Sequence, residues 1–151
     1  MEKKEIYLVS ACLAGSPCRY DGRAYTCEPV AELVAQGRAV PVCPEQLGGL
    51  TTPRISCEII NQPGEIKIIN KEGADCTKEF LLGAERTLAI AKALGIKKAV
   101  MKSKSPSCGC CEIYDGTFSG RLIPGNGVAT RLLKDNGIEV VTEKNFCEKT
   151  I

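Results

Sequence analysis

Short apolar runs alternate with helix-like segments along this chain of 151 residues, and this alternation restricts the fold more than any other feature. The predicted strands are residues 6–9, 39–43, 97–102 and 138–142. The first is apolar throughout, as is typical of a strand buried on both faces. Pro41 cannot donate to a sheet ladder, so the second strand is predicted to lie at an edge or a bulge. Strands separated by helices predict a parallel sheet within an α/β fold.

The segments between these strands carry helix signals. Residues 75–94 place an apolar side chain about once per turn, with Asp75 or Thr77 available as the N-cap and Gly95 as the stop. Shorter helices are predicted to end before Gly37 and Gly137.

Two β-rich segments flank Pro63 and Gly64, whose turn chemistry predicts a β-hairpin. No internal repeat, low-complexity tract or long linker divides the chain, and 151 residues with 44% hydrophobic side chains suit one domain. We therefore predict a single domain over residues 1–151. Its expected architecture is α/β with three layers, α/β/α, a mainly parallel, Rossmann-like sheet and one β-hairpin.

The charge of the chain is balanced. There are 20 Lys and Arg residues against 18 Asp and Glu, a net charge of +2, and the basic residues are scattered singly or in pairs. This distribution lacks the basic stripe that is typical of nucleic-acid binding. The N-terminal residues predict neither a signal peptide nor a transmembrane span. Neither a membrane nor a nucleic acid is therefore expected as a partner, and the expected location is the cytoplasm.

Ten cysteines occur in the chain, and histidine is absent. In a reducing cytoplasm such cysteines are expected to remain thiols or to bind metal rather than to form disulfides. The absence of histidine removes the usual general base and the usual nitrogen ligand. Any proton transfer must then come from Glu, Asp, Lys, Tyr, Cys or water.

Cys12, Cys43 and Cys108 lie at or just past the carboxyl ends of three predicted strands. Loops at those ends meet at one edge of a parallel sheet, where ligands collect, so the fold is predicted to bring these distant residues together. Three thiolates can hold a 4Fe-4S cluster that leaves one iron open to a substrate, or a zinc ion with an open position. They can also be reduced thiols packed in the core.

Long motifs follow one another over nearly the whole chain. They are LVSACLAG (8–15), CRYDG (18–22), VPVCPEQLGGLTTPR (40–54), GADCTKEFLLGAE (73–85), KSKSPSCG (102–109), IYDGTFSG (113–120) and GNGVATRLLKDNGIEVVTE (125–143). In order and spacing these motifs resemble the domain-of-unknown-function family 523, whose best understood members are thiouracil desulfidases.

The resemblance implies an oxygen-sensitive 4Fe-4S cluster bound by Cys12, Cys43 and Cys108, with the fourth iron free for the sulfur of a thiolated pyrimidine. It also implies a hydrolytic desulfuration without net electron transfer, in which thiouracil or a related thiolated base releases hydrosulfide and keeps a carbonyl. Glu45 matches the acidic residue of the family's CPE motif, and Ser103 matches a second catalytic position. Preparation in air is expected to leave the site empty or filled with zinc.

The residue types suit this chemistry on general grounds. A metal that binds a thiocarbonyl sulfur draws electrons from the ring carbon, and a carboxylate such as Glu45 can activate the attacking water. Ser105 and Ser107, together with Ser103, can hydrogen-bond a ring carbonyl and fix the base in the pocket. Structural interpretations also exist, because Glu45 can begin the helix that follows Pro44 and the serines can form a turn.

Other cysteines have mainly structural interpretations. Cys110 and Cys111 are adjacent and cannot readily point at one metal, so we predict packed or exposed thiols. Cys18 lies near Cys12 in sequence and is the candidate substitute ligand. Cys57 is predicted to be structural, with the alternative that it lines the pocket.

Asp21 and Asp115 each precede a glycine, so turns are predicted at both. Residues 125–127 precede a helix and are interpreted as its N-cap rather than as an anion site. Two other functions stay open. One is a zinc- or cluster-binding sensor without catalysis, and the other is a thiol redox protein, although no CxxC motif stands directly before a helix.

Overall fold

The computed structural model describes residues 5–62 and 65–149. The strands are β1 (Tyr7–Ser10), β2 (Ala39–Val42), β3 (Cys57–Gln62), β4 (Glu65–Asn70), β5 (Lys98–Met101), β6 (Glu112–Tyr114), β7 (Leu122–Pro124) and β8 (Glu139–Thr142). The helices are α1 (Glu28–Ala35), α2 (Pro44–Leu47), α3 (Thr77–Leu94), α4 (Val128–Asp135) and α5 (Glu143–Lys149), and a 3-10 turn, Ala11–Ala14, follows β1. Within the described residues, no helix has both the length and the apolar character needed to cross a bilayer.

Strands β2, β1, β5 and β8 form one sheet in that order, and every neighbouring pair is parallel. The predicted α/β fold with a parallel sheet is therefore confirmed. β2 lies at the edge, where Pro41 stands opposite Val9. An edge position is where a sheet can accept a residue without an N–H group, so the prediction for Pro41 is also confirmed.

Helices cover both faces of the sheet. Leu8 of β1 packs in a cluster with Ala91 of α3 and Leu133 of α4, whereas the next residue, Val9, packs in a cluster with Val30 of α1. Successive side chains of a strand point to opposite faces, so the two clusters lie on opposite sides of the sheet. This arrangement gives the three predicted layers.

Two antiparallel hairpins extend the sheet architecture. β3 and β4 form the predicted hairpin, whose turn at residues 63–64 lies outside the described residues. β6 and β7 form a second hairpin, whereas the sequence predicts only one. Each of these strands has only three residues, which is too few to show an alternating pattern. Asp115 lies between them, and its carboxylate accepts a hydrogen bond from the N–H of Thr117, as a turn requires. Asp21 makes the same contact with the N–H of Arg23.

The start of α3 differs from the prediction. Cys76 occupies the N-cap position without a side-chain hydrogen bond, and Asp75 accepts hydrogen bonds from the N–H and the hydroxyl of Thr77. Neither predicted residue is therefore the N-cap. Asp75, one residue before the N-cap, accepts a hydrogen bond from the N–H of Thr77, which is a free N–H group of the first turn. The hydrogen bonds from Thr77 lower the pKa of the Asp75 carboxyl. Gly95 ends the helix in a left-handed conformation with φ of 67°, as predicted.

α2 and α3 touch through their backbones. A Cβ added to Gly83 of α3 would overlap the carbonyl oxygen of Pro44, and a Cβ added to Gly48 would overlap that of Glu79. The close approach fixes α2, which directly follows Cys43, on the surface of the long helix.

We predict that Gly83→Ala lowers the free energy of unfolding by about 1–3 kcal/mol, because overpacking outweighs the ~1 kcal/mol that alanine gains over glycine in a helix. Urea unfolding measures the change. Glu85→Ala, at an exposed position of the same helix, is the control and is expected to change stability by less than about 0.5 kcal/mol. A Gly83→Ala variant more stable than the wild type would contradict the contact.

Candidate active site

The three cysteines of the predicted site come together at the carboxyl edge of the sheet. Cys12 lies in the 3-10 turn after β1, Cys43 directly follows β2, and Cys108 lies in the loop after β5. All three line one cavity of about 360 Å³. Three loops that are far apart in the sequence thus present their thiols to one space.

Two further cysteines, Cys18 and Cys57, line the same cavity. Cys18 is 3% exposed, and its carbonyl oxygen accepts a hydrogen bond from the Cys43 thiol at 3.8 Å. Hydrogen bonding with the Cys12 thiol raises the pKa of Cys18. The site therefore contains a fourth buried thiol beside two of the predicted ligands.

The Cys43 and Cys108 thiols are protonated near neutral pH in the absence of metal. Burial raises the pKa of Cys108 to about 12. Hydrogen bonding with Cys18, and then burial, raises the pKa of Cys43. Because the thiolate is the form that binds metal, a soft metal must displace these protons when it binds.

The cysteines surround the cavity rather than meet at a point. In the parts of the chain that the structure describes, no three Cys, Asp or Glu side chains lie close enough together to bind one metal ion directly. The donor set is instead distributed around the cavity wall, on loops from separate strands.

The N-terminus of α4 supports the loop that carries Cys108. The N–H of Val128 donates to the carbonyl oxygen of Pro106 at 2.8 Å, and the N–H of Ala129 donates to that of Ser107 at 3.0 Å. These first-turn N–H groups therefore have partners within the protein. The Gly-Asn-Gly segment before the helix thus serves to join it to the loop, and the alternative of an anion site receives no support.

Glu45 lines the cavity and also begins a helix. It is the second residue of α2, after Pro44, and Cys43 is the N-cap. Its carboxylate oxygens have different partners, because Oε1 lies 2.9 Å from Nε of Arg54 and Oε2 accepts a hydrogen bond from the Ser107 hydroxyl at 2.7 Å. The helix-start interpretation and the location in the site are therefore compatible.

Arg54 is a residue of the site that is absent from the sequence prediction. Its guanidinium donates to the carbonyl oxygen of Cys18 at 3.0 Å and to the hydroxyl of Thr52 at 2.9 Å, in addition to Glu45. The side chain is only 7% exposed. Arg54 thus links the Cys18 loop to the carboxylate. The available signal is a lone arginine at the end of the Gly/Pro-rich loop after the CPE motif.

Ser105 and Ser107 line the cavity, and their hydroxyls already have partners in the protein. Ser105 Oγ accepts a hydrogen bond from the N–H of Cys108 at 2.7 Å and lies 3.2 Å from Ser107 Oγ. Ser107 donates to Glu45. The two serines therefore stabilise the loop of Cys108 and orient the carboxylate, whereas their contact with a substrate stays a prediction.

Ser103 also lines the cavity, and Glu143 at the start of α5 holds it in place. The N–H and the hydroxyl of Ser103 donate to the two carboxylate oxygens at 2.7 and 2.8 Å. Nζ of Lys102 lies 3.4 Å from the same carboxylate and 4.5 Å from the ring centre of Tyr25. Neither Lys102 nor Glu143 is among the predicted site residues. Glu143 lies 40 positions from its partner Ser103, so no local pattern connects the two.

We predict that Glu143→Ala lowers the free energy of unfolding of the metal-free protein by about 2–4 kcal/mol. The reason is that the Ser103 donors and the Lys102 ammonium lose their buried partner. Urea unfolding measures the change, with Glu139→Ala as the control, since Glu139 is exposed. Equal losses in the two variants would contradict a structural role for the Glu143 carboxylate.

Cys110 and Cys111 do not line the cavity. Cys110 is buried in the core beside Leu133 and Val140, and Cys111 is exposed. These locations agree with the prediction of packed or exposed thiols, since one thiol is packed and the other is exposed.

The fold and the cavity define a class of protein, an α/β protein with a cysteine-lined site at the carboxyl edge of a parallel sheet. A family model described as 2-thiouracil desulfurase matches residues 7–145. The chain therefore belongs to the 2-thiouracil desulfurase family, and the predicted family is confirmed, as is the prediction of an enzyme.

Two known proteins are similar to most of the chain. The uncharacterized protein YbbK of Bacillus subtilis (strain 168) is 45% identical over 145 residues, which cover 92% of this chain and 96% of YbbK. A solved structure described as the 4Fe-4S-dependent thiouracil desulfidase TudS has 44% identity and a TM-score of 0.87, and the match covers 96% of this chain and 95% of that chain.

Proposed function

We propose that this protein removes sulfur from thiouracil or a related thiolated nucleobase at a 4Fe-4S cluster held by Cys12, Cys43 and Cys108. One observation carries the proposal, namely that these three thiols line a single cavity together with Glu45. Membership of the 2-thiouracil desulfurase family and the similarity to TudS support it. The proposed location is the reducing cytoplasm, where thiols persist.

The donors suit such a cluster in type and in arrangement. Thiolate is the ligand that iron–sulfur clusters favour, and the chain contains no histidine. Within the described residues no three donors are placed to bind a single ion, whereas thiols spread around a cavity of about 360 Å³ suit a group with several irons. When bound by three cysteines, the cluster supplies one open iron, a Lewis acid for the thiocarbonyl sulfur.

Glu45 is proposed to move the protons of the reaction. Replacement of sulfur by the oxygen of water needs a base for the water and an acid for the departing sulfur or a ring nitrogen. Arg54 and Ser107 each hold one carboxylate oxygen, so the direction of Glu45 is set before a substrate enters. The net reaction converts a thiocarbonyl and water into a carbonyl and hydrosulfide, and no electrons are transferred.

Ser103 is proposed to orient the base. Its hydroxyl hydrogen is donated to Glu143, so its oxygen is left to accept a hydrogen bond from a ring N–H. Nζ of Lys102 also donates to this oxygen, at 3.3 Å, so one lone pair remains for the ring N–H, and Lys102 lines the cavity. Ser105 and Ser107 stay proposed contacts to the substrate.

The decisive experiment is anaerobic reconstitution with iron and sulfide, followed by an assay for hydrosulfide and uracil with thiouracil as substrate. We expect about four irons and four sulfides per chain, and equal amounts of the two products. The same protein without iron is the control. Undiminished hydrosulfide release in that control would overturn the proposal.

A second candidate function is a zinc- or cluster-binding sensor without catalysis. Cys18 favours it, because a fourth buried thiol in the cavity can complete the ligand set of a bound metal or cluster and leave no position open to a substrate. Zinc retained through aerobic purification at about one ion per chain, with no turnover of any thiolated base, would support this candidate over the desulfidase.

A further inference from the structure

Cys110 and Cys111 form a pair of adjacent thiols that the proposed reaction does not use. Their Sγ atoms lie 3.2 Å apart, and neither residue lines the cavity. The Cys110 thiol is buried and donates to the carbonyl oxygen of Val140 on β8 at 3.8 Å, whereas Cys111 is exposed. One thiol is therefore anchored and the other is accessible.

The backbone of Cys111 adopts a strained conformation that brings the two thiols to one side. Its φ is 74°, in the left-handed region that side-chain-bearing residues seldom occupy. Its N–H donates to Oδ1 of Asn126 at 2.9 Å, and its carbonyl accepts a hydrogen bond from the N–H of Gly125 at 3.2 Å. Extended backbone would send successive side chains to opposite sides, so this conformation is what pairs the thiols.

We infer that Cys110 and Cys111 form a dithiol site for a soft, thiophilic metalloid in the trivalent state, such as trivalent arsenic. Soft centres prefer sulfur ligands, and two thiols held together bind one such centre at high effective concentration.

The sulfur separation favours a bridging atom over a direct disulfide. The 3.2 Å between the Sγ atoms is well above the ~2.05 Å of a disulfide bond. Adjacent Cα atoms are about 3.8 Å apart, which is shorter than the ~4.4–6.8 Å that disulfides usually span. A disulfide here would therefore be strained, whereas one atom bound by both sulfurs fits their spacing.

The binding reaction balances without an oxidant. With phenylarsine oxide as the probe, two As–S bonds form, while two S–H bonds and the bonds between arsenic and oxygen break. The oxygen leaves as water with both thiol protons. Arsenic stays trivalent, and no electrons are transferred.

The test titrates phenylarsine oxide anaerobically into the reduced, reconstituted protein and counts adducts by mass spectrometry. We expect the wild type to bind about one equivalent more than Cys111→Ser, since thiols common to both proteins cancel in the difference. A 1,2-dithiol is expected to release this equivalent, whereas a monothiol at the same thiol concentration is not. Cys111→Asn is a second variant without the thiol, and its asparagine tolerates the left-handed backbone at this position. It must lose the same equivalent.

Cys76→Ser is the matched control, because Cys76 and Cys57 form another pair of neighbouring thiols. This variant is expected to keep the adduct. Equal uptake by the wild type and Cys111→Ser would overturn the inference. Formation of a disulfide between residues 110 and 111 without bound arsenic would also overturn it.

Discussion

Glu45→Gln is expected to lower kcat for thiouracil by about 10²–10⁴-fold and to leave the iron and sulfide content unchanged. Glutamine keeps the shape of the side chain and an oxygen that can face Arg54 or Ser107, but it can neither take a proton from water nor deliver one. The measurement is the initial rate of hydrosulfide release under anaerobic conditions, normalised to the bound iron.

Glu58→Gln is the matched control for this experiment. Glu58 lines the same cavity and is 8% exposed, and its carboxylate accepts hydrogen bonds from the N–H groups of Gly116 and Phe118. We expect its kcat to stay within about tenfold of the wild type. Equal losses in both variants would show that a carboxylate in the cavity, rather than Glu45 itself, is what matters. Loss of the cluster in Glu45→Gln would assign that residue a structural role instead.

Cys108→Ser is expected to abolish cluster assembly and to reduce hydrosulfide release to that of the iron-free protein. The hydroxyl of serine is a hard ligand, and removal of one of three thiolates leaves too few donors to retain the iron. Iron and sulfide analysis after anaerobic reconstitution measures the loss. Because Cys108 is buried and its loop is bonded to α4, near-wild-type unfolding in urea distinguishes lost ligation from lost folding.

The control for Cys108→Ser is Cys76→Ser. Cys76 is a partly buried cysteine that does not line the cavity. We expect this variant to assemble the cluster and to turn over at the wild-type rate. Full cluster content in Cys108→Ser would contradict the ligand assignment and would direct attention to Cys18, the other buried thiol of the site.

The main features of the fold follow from local sequence patterns. The apolar run before Cys12, the proline in β2 and the long periodic helix that ends at Gly95 are each sufficient to place an element. Once strands and helices alternate, the position of ligand loops at the carboxyl edge follows from geometry. The meeting of Cys12, Cys43 and Cys108 could therefore be predicted without any knowledge of their contacts.

The polar contacts of the site could not be predicted in this way. Arg54 and Glu143 find their partners through loop conformations that carry no periodic signal, and a charged residue in a loop is usually solvated. The short hairpin of β6 and β7 escaped prediction because three residues are too few to show an alternation. The N-cap of α3 was misplaced because a side chain one residue earlier can bind the same N–H group.

Both walls of the cavity rest on a common support. α2, with Cys43 and Glu45 at its start, lies against α3 without intervening side chains at Gly83, and α4, which steadies the Cys108 loop, packs on the same helix. If α3 tilts, we expect both walls to move with it. The distance between the walls, and so the width of the cavity, is then expected to stay the same. To widen the cavity for a larger substrate, substitutions should therefore be made in the loops. Changes to α3 are expected to move both walls without widening the cavity.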